Sequence, residues 1–147
     1  DMADRLNRYN LAREGAAKQQ MAYDLAVRYY QASCYGDCWF LTHYYSSVMD
    51  SARSWEKDFA AETVKYLNVA KRSDDLQLRY RSVYALAFMP VDKWAEFEYD
   101  GKVILYPHSA QYEALYELSL FAMAYPNVVD QYTRRCDVLK RYEYYLP

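Results

Sequence analysis

Residues 109–126 read SAQYEALYELSLFAMAYP, and the fold turns on this stretch. Ser109 is the kind of residue that caps a helix start, because its hydroxyl can accept a backbone N–H that the first turn leaves unpaired. From Ala114 onward the segment is nearly apolar all round, and Pro126 stops it. A helix without a polar face belongs inside a protein, so 109–125 is expected to be the most buried helix of the chain.

Outward from this segment the same helical spacing recurs. Residues 2–33 read as helix, loosened at Gly15, with Met21, Leu25, Ala26 and Tyr29 on one stripe. Tyr23, Val27 and Tyr30 make a second stripe, which predicts a helix sandwiched between neighbours. Gly36 and Asp37 form a stop and a restart before a short aromatic segment, Trp39 to Met49. A helix from about Ser54 to Lys71 turns Trp55, Phe59, Tyr66, Leu67 and Ala70 inward and Lys57, Lys65 and Lys71 outward. Asp74 and Gln77 approximate a capping box for the next helix, which carries Leu76, Tyr80, Val83, Tyr84, Ala87 and Phe88 inward until Pro90. After Pro126 and Asn127 a last helix faces Val129, Tyr132, Cys136, Leu139 and Tyr142 inward, with Arg134, Arg135, Lys140 and Arg141 outward.

One interval breaks the helical pattern. Glu96-Phe97-Glu98-Tyr99 alternates polar and apolar, Asp100-Gly101 signals a two-residue turn, and Lys102-Val103-Ile104-Leu105 returns as a strand. The expected class is therefore all-α, about six helices in antiparallel pairs, with one small β-hairpin near residues 96–105.

Composition agrees. The 147 residues include only 3 Gly and 4 Pro, so long segments run without a breaker. The length suits a single helical domain over 1–147. A hydrophobic fraction of 53% sits oddly with a mean hydropathy of −0.47 until the 19 Tyr are considered. A tyrosine ring packs between helices while its hydroxyl reaches a polar group. Net charge is −2 and the 18 basic residues are dispersed, so there is no basic stripe for nucleic acid. The longest apolar run, Leu118 to Tyr125, is interrupted by Ser119 and falls short of the ~20 residues that span a membrane. The chain begins at Asp1, which reads as a mature product or a fragment of a larger protein.

The helices also echo one another. Tyr80, Tyr84 and Leu86 precede Tyr112, Tyr116 and Leu118 by a constant 32 residues, and Pro90 and Pro126 lie 36 apart. Ala22-Tyr23-Asp24-Leu25-Ala26 and Tyr84-Ala85-Leu86-Ala87-Phe88-Met89-Pro90 resemble tetratricopeptide helices, whose units repeat at about 34 residues. The tetratricopeptide Trp and Leu-Gly signature is missing, so the resemblance stops at tetratricopeptide-like. The stretch from Tyr29 to Phe59, with Cys34-Tyr35-Gly36-Asp37-Cys38-Trp39, resembles uncharacterised bacterial cell-envelope proteins that carry such helices within a much larger chain. That likeness implies a cell-envelope or secreted location, although nothing in the residues excludes the cytoplasm. It brings no activity with it.

Each chemical motif has an ordinary counterpart. Cys34, Cys38, His43 and Cys136 are donors of the zinc type, but a second close pair of ligands is missing, and no metal or cofactor is expected. Free thiols, or one disulfide with a leftover thiol, fit better; the envelope resemblance favours the disulfide. Cys136 recurs on the inward face, so a bridge from it to Cys34 or to Cys38 would close a loop of about 100 residues. Cys38 and His43 are five apart and do not stack on one helix face as a nucleophile and base would. Glu96, Glu98, Asp100 and Gly101 imitate a calcium loop, yet Pro107 stands where its closing Glu belongs. Glu56, Asp58 and Glu62 read as a solvated helix face, and His108 sits in a loop beside Pro107.

With no catalytic motif, the expected function is a non-catalytic helical-repeat module that binds a protein or peptide, or scaffolds a larger envelope protein. The candidate ligand-contacting residues are Trp39, His43, Tyr44, Tyr45 and Trp94, aromatics outside the clean stripes. The alternative is a carbohydrate-binding or carbohydrate-acting domain that uses the same side chains.

Overall fold

The computed structural model describes residues 2–32, 52–88 and 92–146. It is mostly helical, its helices pack in pairs, and a two-stranded antiparallel hairpin is inserted where the alternating pattern lies. In chain order the elements are α1 (Met2–Leu11), α2 (Ala16–Ala32), α3 (Ala52–Ala70), α4 (Leu76–Phe88), β1 (Ala95–Phe97), β2 (Val103–Leu105), α5 (Ala110–Ala124), the single turn α6 (Gln131–Arg134) and α7 (Asp137–Tyr144). The Gly36-Asp37 restart, the Trp39–Met49 segment and Pro90 lie outside the described residues, as do the side chains of Trp55, Lys57 and Tyr132.

The chain divides into two compact units, Asp1–Ser82 and Val83–Pro147, with the division inside α4. In the first unit α2 packs on α3, and α1 packs on α2. Ala22, Leu25 and Ala26 of α2 and Ala60, Leu67 and Ala70 of α3 are buried. The small side chains let the helix axes approach, and tyrosines fill the remaining space. Tyr66 of α3 stacks against Tyr29 of α2 at 5.8 Å and meets Tyr9 of α1 edge-on at 5.2 Å. Three helices thus converge on one ring. Lys18 lies over Tyr9 and Lys65 over Tyr66, with ammonium-to-ring distances of 4.7 and 5.1 Å.

Three local expectations need correction. The first helix is broken rather than loosened. Ala12 N–H closes α1 on Arg8 and Tyr9 carbonyls, and Gly15 takes a φ of 143°, which interrupts helical geometry before α2 begins. The second stripe of α2 is not buried along its length: Tyr23 is half-buried, and Val27 and Tyr30 are exposed. Its described neighbours both gather at Tyr66, so burial falls on one side. The cap of α4 is Asp75, not Asp74. Asp75 Oδ1 accepts the N–H groups of Gln77 and Leu78, and its own N–H donates to Ser73 Oγ.

In the second unit α5 packs on α7, and Leu115, Leu118 and Phe121 of α5, Leu139 and Tyr142 of α7, Val129, and Trp94 beside the hairpin are all buried. The strands pair Ala95 with Leu105, Glu96 with Ile104 and Phe97 with Val103. Their turn is one residue longer than the Asp100-Gly101 pair suggested. Gly101 N–H donates to the Glu98 carbonyl, Glu98 N–H donates to the Lys102 carbonyl, and Gly101 adopts φ 85°. This is a three-residue loop whose glycine forms the bulge. The last helix is also divided: Cys136 has an extended ψ of 115° between α6 and α7.

Candidate functional site

At the start of α5, every orphan donor has a partner. Ser109 N–H donates to the Tyr106 carbonyl, Ala110 N–H to the Asp92 carboxylate, Gln111 N–H to the Asp92 carbonyl, and Tyr112 N–H to Ser109 Oγ. The Gln111 side chain extends the network, accepting from Trp94 N–H and donating to the Ala87 carbonyl. The helix is therefore fixed to the residues on both sides of the hairpin before its apolar part begins.

That apolar part is not buried all round, which corrects the expectation. Leu118 is 0% exposed and Leu115 and Phe121 are buried, whereas Tyr116, Leu120 and Met123 are 48%, 47% and 74% exposed. The exposed three are spaced by four and three residues, so they form one outward stripe. Glu113 and Glu117 are exposed along its flank, and they are the only charges α5 carries. Tyr116, Leu120 and Met123 of α5 thus present an apolar ridge with an acidic margin at Glu113 and Glu117, backed by the opposite, buried face.

Trp94 does not belong to an open surface. It is 5% exposed, packed edge-on against Tyr142 at 5.5 Å and Phe97 at 5.7 Å, with Tyr145 at 6.3 Å. Its place outside the clean helical stripes suggested a ligand-contacting aromatic, but Tyr142 of α7 packs against it. Trp39, His43, Tyr44 and Tyr45 lie outside the described residues. Cys34 and Cys38 are also outside; Cys136 is half-buried with a free thiol. Among the described residues no three potential metal ligands cluster, and no described helix is long and apolar enough to cross a membrane.

The acidic residues of the hairpin are tied locally. Asp100 Oδ1 accepts Lys102 N–H, and its carboxylate lies 3.7 Å from the Lys102 ammonium. Tyr106 carries a hydroxyl raised above the usual phenol range, first by desolvation and then by Glu96, to which it is hydrogen-bonded. Glu62 pairs with Lys65 at 3.8 Å on the outer face of α3. Tyr142 is the unusual polar group. Its hydroxyl is buried without a hydrogen-bond partner, and desolvation, then Tyr112 and Tyr116, push its pKa far above the ordinary 10.0. An ionisable group so disposed supports packing rather than proton transfer near neutral pH.

The α5 ridge was legible in part. The sequence shows Tyr116, Leu120 and Met123 at helical spacing; only the packing of α7 on the other side shows which apolar face stays outside. No protein family model, curated protein or solved structure matches the chain.

Proposed function

We propose that the chain is a non-catalytic helical module that binds a protein or peptide partner through the outward face of α5, as part of a larger envelope protein. The observation that carries this reading is the Tyr116–Leu120–Met123 ridge. Exposed methionine and tyrosine beside leucine give a surface that is apolar and adaptable, the chemistry of helix-docking grooves and ridges. The four corresponding donors at the helix start are all used within the fold, so α5 is preorganised and loses little entropy on binding. A carbohydrate platform is less well supported, because Trp94 is enclosed in the core.

A photoreactive amino acid in place of Leu120 tests the proposal in cells. A discrete cross-linked product is expected from this position and not from Arg72, an exposed residue of the first unit. Adding Met123→Lys should abolish the product. No product at Leu120, or equal products at both positions, would refute the reading.

A further inference from the structure

Trp94 sits at a junction of aromatic rings in the second unit. It is buried, and among the described residues its ring neighbours are Tyr142 at 5.5 Å, Phe97 at 5.7 Å and Tyr145 at 6.3 Å. Tyr145 in turn meets Tyr144 edge-on at 5.1 Å, and Tyr144 is 81% exposed. All four separations lie within the ~4.5–7 Å of ring pairs in direct contact. Electron tunnelling weakens exponentially with distance, so rings this close exchange an electron readily. Indole and phenol rings yield to one-electron oxidants, whereas a bare phenyl ring resists them.

The three neighbours of Trp94 are not equivalent as exits. A phenol that loses an electron becomes a strong acid, so tyrosine is oxidised easily at neutral pH only where its hydroxyl proton has somewhere to go. The Tyr142 hydroxyl is buried with no partner, which closes that ring and, beyond it, Tyr112 at 5.0 Å. Phe97 has no hydroxyl, and the Arg141 guanidinium lies over its ring at 4.9 Å, opposing positive charge there. Tyr145 is half-buried and leads to the exposed Tyr144. At neutral pH a tyrosine that releases its proton to water is easier to oxidise than tryptophan, so this direction runs downhill.

We propose that an oxidising equivalent lodged on Trp94 leaves the fold through Tyr145 and emerges at Tyr144, which is thereby a site of tyrosine cross-linking. A one-electron oxidant takes an electron from the Trp94 indole and is itself reduced. Tyr145 returns an electron to Trp94 and gives its hydroxyl proton to water. Tyr144 then reduces the Tyr145 radical, which takes a proton back from water, while Tyr144 gives its own proton up. The net change is loss of one electron and one proton from Tyr144. Two such radicals on separate copies join by a ring carbon–carbon bond, and the displaced ring hydrogens return to the two oxygens as dityrosine.

Flash photolysis of the intact chain tests the proposal. Light at the red edge of tryptophan absorption ejects an electron, and a cobalt(III) ammine in solution takes it up and becomes cobalt(II). Tryptophanyl radical absorption should decay as tyrosyl absorption grows, and mass spectrometry of the products should place dityrosine at Tyr144. Trp94→Phe and Tyr145→Phe should each lose the Tyr144 product. Tyr142→Phe should keep it. Far-ultraviolet circular dichroism checks that each variant is folded. The variants at 142 and 145 remove one hydroxyl each and keep the ring, so they decide the matter even where Trp94→Phe unfolds. An intact chain without a Tyr144 product, a product that survives Tyr145→Phe, or one that Tyr142→Phe removes would each overturn the proposal.

Discussion

Leu118 and Tyr142 lie in the same core and have opposite sensitivities. Leu118 is wholly enclosed, so Leu118→Asp places an unpaired carboxylate among apolar side chains and should cost more than about 4 kcal/mol, enough to unfold a marginal domain. Thermal denaturation checks this, and an unchanged melting temperature would show that Leu118 is not core. Tyr142 buries a hydroxyl with no partner, so Tyr142→Phe removes a desolvated group and strands none. Its expected effect is a gain of up to about 1 kcal/mol in chemical denaturation. A loss beyond that range would reveal a hydrogen bond to the hydroxyl.

At the scale of the element, capping distinguishes neighbours that the sequence makes look alike. Asp74 and Asp75 are adjacent, yet only the Asp75 carboxylate accepts N–H groups from the first turn of α4. Asp75→Ala should cost about 1 kcal/mol, while Asp74→Ala should stay within about 0.5 kcal/mol, both read by urea titration. Equal effects would mean that the cap is shared. Gln111 joins α5 to the Trp94 and Ala87 backbones, so Gln111→Ala strands two partly buried groups and should cost about 1–3 kcal/mol. Hairpin and cap were visible as residue types. Which of two aspartates caps, and whether Asp100-Gly101 makes a two- or three-residue loop, follows from backbone direction that neighbouring residues set together.

Across the whole molecule the tyrosines impose a direction on pH stability. Tyr29, Tyr66, Tyr84 and Tyr142 all have hydroxyls raised above the ordinary 10.0, with desolvation the largest cause in each. The fold favours their neutral forms, and the unfolded chain ionises first. Their contribution is therefore complete below pH 10 and is lost as pH rises from there through the folded values. Denaturation midpoints measured in steps from pH 8 upward should be flat at first and then fall in the alkaline range. A midpoint that rises there would contradict the buried tyrosines. Far-ultraviolet circular dichroism at neutral pH should be helix-dominated, and a strand-dominated spectrum is incompatible with the fold.

Local chemistry was enough to determine the class of this protein. Few breakers, helical spacing, Ser109 at a helix start and alternation around Asp100-Gly101 each act over a few residues, so the helices and the hairpin could be read from the chain. Sidedness was decided only by tertiary structure. Val27 and Tyr30 have the spacing of a buried stripe but are exposed, Trp94 has the setting of a surface aromatic but is enclosed, and α5 keeps Tyr116, Leu120 and Met123 outside. The 32-residue echo shows the same thing: Leu86 is half-buried and Leu118 fully buried, although they occupy matching positions. Periodicity measures the angle between side chains on a helix, whereas burial depends on which neighbour arrives and from which side. A helix with two apolar faces leaves that choice open, and packing against α7 makes it.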